Sequence, residues 1–163
     1  MLKGYSHTNL PDLLEKCLWG AHCEGVILAN DSSHVDSLLF QLENTAYSSK
    51  KITFLVGECG LELLFDLYFA TLLVQHDYDV DIHVKSYPSF PLAATKVDIQ
   101  KHIEMSLSTG LNFAEAFQTQ IQESHIRIIE DEFYTSPLEL AQANENLKRM
   151  YSDSILLIIN RTN

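Results

Sequence analysis

The stretch Ile52-Thr53-Phe54-Leu55-Val56-Gly57-Glu58-Cys59-Gly60, together with its continuation as far as Pro88, decides the fold. Ile52 to Val56 is short, apolar and partly β-branched, as expected of a strand buried on both faces of a parallel sheet. Behind the glycine-containing break the period changes. Leu61, Leu64, Phe65, Tyr68 and Leu72 recur at helical spacing, which predicts a helix with Leu64 and Leu72 turned to the sheet and Glu62 and Asp66 on a solvated face. Val80, Ile82 and Val84 then alternate with Asp81, His83 and Lys85, a return to the period of a strand. A strand-helix-strand unit of this kind forms sites where a strand's carboxyl end meets the next helix, here residues 57–60.

Working outward, Leu10-Pro11-Asp12 opens a short helix ending at Gly20, Val26 to Ala29 is a short strand or buried connector, and Asn30 to Ser33 cap a helix carrying Val35, Leu38, Leu39 and Leu42. Beyond Lys85, the segment Ser86-Tyr87-Pro88-Ser89-Phe90-Pro91 is too rich in proline for a central strand and reads as a loop on the same rim as residues 57–60. Helices are expected from about Thr95 to Gly110 and from Phe113 to Ile121. A third strand is expected at His125 to Ile129, ended by the acidic run Glu130-Asp131-Glu132. Ser136-Pro137 opens a further helix, and Ile155 to Ile159 is a fourth buried strand. The expected fold is α/β, a Rossmann-like, mostly parallel sheet of about four strands flanked by helices. The expected organisation is a single domain, 1–163, with N-terminal helices and a connector in 1–50 and the α/β core in 51–163.

At 163 residues and 46% hydrophobic, the chain can bury one real core. Its 22 acidic residues against 11 basic ones give a net charge of −11, which repels phosphate backbones and favours basic proteins or divalent cations; little direct nucleic-acid contact is expected. No run is long enough to span a membrane, and the N-terminal residues lack a signal peptide's apolar core, so a cytoplasmic location is expected. Cys17, Cys23 and Cys59 have no paired spacing and read as reduced thiols; Cys17, His22 and Cys23 lack a second ligand pair for zinc. His76, His83, His102 and His125 show no metal-ligand spacing. Glu58 reads first as a carboxylate favoured at a helix N-terminus, Lys85 as an exposed strand-end lysine, and Phe133-Tyr134 as loop packing.

Five blocks occur in order: Leu18-Trp19-Gly20-x-x-Cys23, Ile27-Leu28-x-Asn30-Asp31, Gly60-Leu61-Glu62-Leu63-x-x-Asp66-Leu67, His83-Val84-Lys85-x-x-Pro88-x-Phe90 and Phe133-Tyr134-Thr135-Ser136-Pro137. With them the chain resembles the damage-control phosphatase family, domain of unknown function 89, one member of which has been described as a protein carboxyl methyltransferase. The resemblance implies a Rossmann-like sheet whose rim holds a divalent metal and a sugar phosphate or related phosphometabolite. It also brings departures. The family's first core strand ends in Asp-Asn, the aspartate a metal ligand, where this chain has Gly57 and Glu58. The family continues its Pro-x-Phe block with Val-Ser-Asp, again a ligand, where this chain has Leu92 and Ala93. The family's last block, Lys-Gly-Asp-x-Asn-Tyr-Arg, faces Ile159-Asn160-Arg161-Thr162-Asn163 here, so the family's phosphate-binding lysine is lost and a shortened member is expected.

Glycine and alanine offer a hard cation no ligand. The expectation is therefore a pseudoenzyme with no metal and no catalytic residue. It would act as a binding or regulatory factor on a basic protein partner, the ribosome in a dormancy or hibernation role being the case favoured. Its contacts are expected at Glu130, Asp131 and Glu132 and at the C-terminal Arg161 and Asn163. The alternative is a phosphatase acting on sugar phosphates with Mg or Mn, its ligands drawn from Glu58, Glu62 and Asp98. Methyl transfer finds no recognisable site for a methionine-derived cofactor.

Overall fold

The computed structural model describes residues 50–89, 91–135 and 143–159. The expected elements before residue 50, the helix opened at Ser136-Pro137, and Arg161 and Asn163 lie outside them. The described elements run β1 (Lys51–Leu55), α1 (Leu61–Gln75), β2 (Asp79–Lys85), α2 (Lys96–Ser108), α3 (Phe113–Gln122), β3 (Ile126–Asp131), a 3-10 turn (Glu132–Thr135), α4 (Glu145–Ser152) and β4 (Leu156–Ile159). The four strands form one sheet in the order β3-β2-β1-β4, all parallel. The chain builds outward from β1 to β2 to β3 and then crosses back to lay β4 on the other side of β1. The order thus reverses at β1, and its carboxyl end is where doubly wound sheets place their ligands.

Register divides the sheet into two unlike faces. Ile52, Phe54, Val80, Ile82, Val84 and Ile126 point to one side and are buried there with Leu63, Leu67, Phe69, Ala70 and Leu73 of α1, Ile99 and Ile103 of α2, and Phe113 and Phe117 of α3. Phe54 meets Phe69 edge to face with ring centroids 5.9 Å apart, an arrangement that contributes about 0.5–1.5 kcal/mol beyond area burial. Between helices, Tyr68 meets Phe113 in the same way, and Gln120 donates to the carbonyl of Thr71. Thr53, Asp81 and His83 point to the opposite side and are buried as well.

The structure corrects three expectations. α1 is packed along Leu63, Leu67, Ala70 and Leu73, while Leu64 and Leu72 are only half-buried and Glu62 and Asp66 are buried. Its sequence is apolar almost all round, because sheet and helices cover it from more than one side, so spacing alone does not single out a face. Lys85, expected as an exposed strand-end lysine, is buried in β2 together with Asp81 and His83. The acidic run does not end the third strand: Glu130 and Asp131 continue β3 in register with Val84 and Lys85, and Glu132 starts the 3-10 turn.

Candidate functional site

At the carboxyl rim three chain segments are tied together. After β1 the backbone passes through buried Gly57 to Gly60, which precedes α1 at φ +108°, a region that favours glycine. The chain leaves β2 at Ser86 and returns to the rim at Leu92. There Cys59 N–H donates to the Leu92 carbonyl (2.7 Å), Ala94 N–H to Gly57 (3.2 Å) and Lys85 N–H to Ala94 (3.3 Å), with Glu58 bridging Ala93 and Lys85 bridging Thr95. The shared rim expected for these two loops is thus formed by direct backbone hydrogen bonds.

Lys85 is not an exposed strand-end lysine. Its ammonium donates to the Gly57 carbonyl at 2.8 Å, and burial pulls its pKa down against the opposing charges of Glu58 and Glu62. Glu62, in the first turn of α1, is 5% exposed, and its Oε2 has no hydrogen-bond partner. Burial first and the charge of Glu58 second push its carboxyl up to about 7, against the pull of Lys85. Asp98 serves its own helix: Oδ2 accepts from the backbone N–H of Thr95 at 3.0 Å and from its hydroxyl at 2.8 Å, so it holds the start of α2. Cys59 is a free, half-buried thiol, raised mainly by burial and also by Asp98 and Glu58, the reverse of what activates a thiolate nucleophile.

A second polar group lies under the other face of the sheet. Arg127 grips Asp81 with two bonds, Nε to Oδ1 at 2.7 Å and Nη2 to Oδ2 at 2.6 Å, and Lys51 adds a looser contact at 3.9 Å. One step along β2, His83 Nδ1 is bonded to the Tyr134 hydroxyl at 2.5 Å, and Tyr134 is bonded in turn to Tyr151 of α4. Thr53 and Ser154 share a bond of 2.6 Å. His83 is 1% exposed with no partner for Nε2, and burial brings its pKa down to about 4, so the ring is neutral at physiological pH. Tyr134 is held protonated, chiefly by burial. These bonds fasten the 3-10 turn and α4 to the sheet.

The family model described as the damage-control phosphatase ARMT1-like domain matches residues 16–160. The chain belongs to that family. No curated protein matches it. In this ARMT1-like chain the positions where the resemblance places two metal-binding aspartates are Gly57 and Ala93, adjoining points of the rim whose backbones are hydrogen-bonded to neighbouring segments. The residues present do not fit a divalent ion there: Gly57 offers only a carbonyl already taken by Lys85 and Ala94, and Ala93 offers no side-chain donor. Glu58 and Glu62 do share the rim, but Asp98 is engaged at the start of α2. Among the described residues no three His, Cys, Asp or Glu side chains form a group able to hold a metal.

Glu130 is exposed and pairs with Lys96 at 3.7 Å, Asp131 accepts from Phe133 N–H at 2.8 Å, and Glu132 is exposed. Sequence reasoning missed the Asp81–Arg127 pair and Tyr151. The signal that could have found the pair is register: two consecutive parallel strands with an acid and a base at matched positions, Asp81 opposite Arg127. Among the described residues no helix is long and apolar enough to cross a membrane.

Proposed function

We propose that this member of the family is a non-catalytic binding factor that acts on a basic protein partner. The observation that carries the reading is the substitution of both rim ligand positions by Gly57 and Ala93, with the Lys85 ammonium bonded to the Gly57 carbonyl. A phosphoryl-transfer site stabilises charge with a metal held by carboxylates, and without such ligands the rim has little to stabilise a phosphoryl group in transit. The net charge of −11 supports the second half of the reading, since it favours association with basic surfaces and makes that association sensitive to salt.

Two measurements test it. Calorimetric titration with Mg²⁺, Mn²⁺ or Co²⁺ is expected to give no saturable site at micromolar concentration, and phosphosugars are expected to release no phosphate. One tight site, lost in Glu58→Gln and accompanied by turnover, would establish the metal-dependent phosphatase instead. Ribosomal proteins are the most abundant basic surfaces in a cell, so sedimentation of lysate through sucrose at low and high salt tests the ribosome as partner in a dormancy role. Co-sedimentation at low salt that is lost at high salt is expected. A protein that stays at the top of the gradient in every growth state, starvation included, is not a ribosome factor.

A further inference from the structure

Five large hydrophobic side chains are left exposed among the described residues, and four of them, Leu61 (58%), Tyr87, Leu92 and Val97, come from the segments that make the carboxyl rim. Backbone bonds tie together the segments that carry them. Leu92 accepts the Cys59 N–H two residues before Leu61, and Thr95, two residues before Val97, bridges Lys85, two residues before Tyr87. Side chains this large around one rigid point are the composition of a contact surface, whereas single exposed apolar residues are ordinary. Inside this border two carboxylates stand against one buried ammonium, that of Lys85, which is bonded to the Gly57 carbonyl. Glu58 is half-exposed, and Glu62 is buried in the first turn of α1 with an oxygen that no donor reaches. A buried carboxylate oxygen without a donor is costly, and a cation arriving beside the half-exposed Glu58 lowers that cost through its field.

We propose that the carboxyl rim is a docking surface for a short basic segment of a partner protein. A lysine or arginine of that segment would lie beside Glu58 and Glu62, with its apolar neighbours on Leu61, Tyr87, Leu92 and Val97. This rests on the reading of the protein as a binding factor, and it moves the contact from the acidic run of β3 to the rim. Charge complementarity selects the occupant. An anionic ligand meets two carboxylates against the single, already bonded ammonium of Lys85, and a bare inorganic cation leaves the apolar border uncovered. A segment with an aliphatic or aromatic residue next to its basic one satisfies both halves.

The test is panning of a random heptapeptide phage library on the whole protein, with the Leu61→Ser/Leu92→Ser double variant as counter-selection. Both residues are exposed, so the variant is expected to keep the parent's thermal unfolding midpoint. Peptides with Lys or Arg beside Leu, Ile or Phe are expected to be enriched. By fluorescence polarisation the leading peptide is expected to lose at least tenfold in affinity when its basic residue becomes Gln, and a similar factor on the double variant. Enrichment of uncharged or acidic peptides, equal binding to the double variant, or no enrichment overturns the docking site. The two readings fail differently: metal-dependent turnover removes the binding-factor function, whereas salt-sensitive co-sedimentation that survives Leu61→Ser/Leu92→Ser removes only the rim as its place.

Discussion

The two faces of the sheet are both buried, yet they are held by different forces. On one, Ile52, Phe54, Val80, Ile82 and Ile126 meet three helices through apolar contact alone. On the other, Thr53, Asp81 and His83 leave water only because each finds a polar partner, in Ser154, Arg127 and Tyr134. Apolar contact tolerates small displacements, whereas a buried charge or ring nitrogen is stable only with its partner in place. The first face carries the large apolar cluster among the described residues. The second sets where the 3-10 turn and α4 sit.

The largest effect is expected on the apolar face. Phe69→Ala removes a fully buried ring and its edge contact with Phe54, and is expected to cost about 3–5 kcal/mol in urea denaturation. Leu64→Ala, on the half-buried side of α1, is expected to cost clearly less. Equal losses would mean that α1 is seated the other way round. On the polar face Arg127→Ala leaves Asp81, 1% exposed, with only the distant Lys51 among the described residues. Stranding a buried carboxylate costs about 3–5 kcal/mol when nothing compensates; with Lys51 nearby and Arg127 half-exposed, about 2–3 kcal/mol is expected. A double-mutant cycle with Asp81→Asn that finds no coupling would remove the pair from the account of this face.

How far each face was legible in the sequence comes down to the same difference. The β1-glycine-α1-β2 unit was readable because an apolar run, a break and a change of period are local signals, and the strand order then placed the rim at residues 57–60. The polar face was not readable. Alternation in β2 ordinarily marks solvent, and the groups that bury Asp81 and His83 arrive from 46 and 51 residues further along the chain. The run Glu130-Asp131-Glu132 looked like a strand terminator for a similar reason: its first two residues are held extended by pairing with β2, not by propensity. At the rim, Gly57 and Ala93 could be seen in the sequence to stand where the resemblance implies metal-binding aspartates. The bond from Lys85 to the Gly57 carbonyl could not, because it depends on how close the ends of β1 and β2 come.

The smallest effect concerns two of the buried groups with orphan atoms, Glu62 at the rim and His83 on the polar face, whose titrations oppose each other. Glu62 titrates near 4.5 when unfolded and about 7 when folded; between those values the folded state holds a proton that the unfolded state has lost, so stability falls as pH rises. His83 titrates near 6.5 when unfolded and about 4 when folded; between those values the unfolded state takes a proton that the folded state refuses, so stability rises with pH. At about 1.4 kcal/mol per pH unit, and allowing for partial solvation, each contributes on the order of 1–3 kcal/mol. The windows overlap between about 4.5 and 6.5, where the two slopes are expected largely to cancel. Glu62→Gln removes the falling limb, so it is expected to be more stable than the parent at pH 8 and to lose stability steadily on acidification from 6.5 to 4. His83→Gln also loses packing and the Tyr134 bond, so its diagnostic is slope and not level: stability should now fall from pH 4.5 to 7. Urea denaturation at half-unit steps from pH 4 to 8 reads both. If the two variants keep parallel profiles, neither group is the source of the pH dependence, and the rim carboxyl and the ring on the polar face are better solvated than their surroundings indicate.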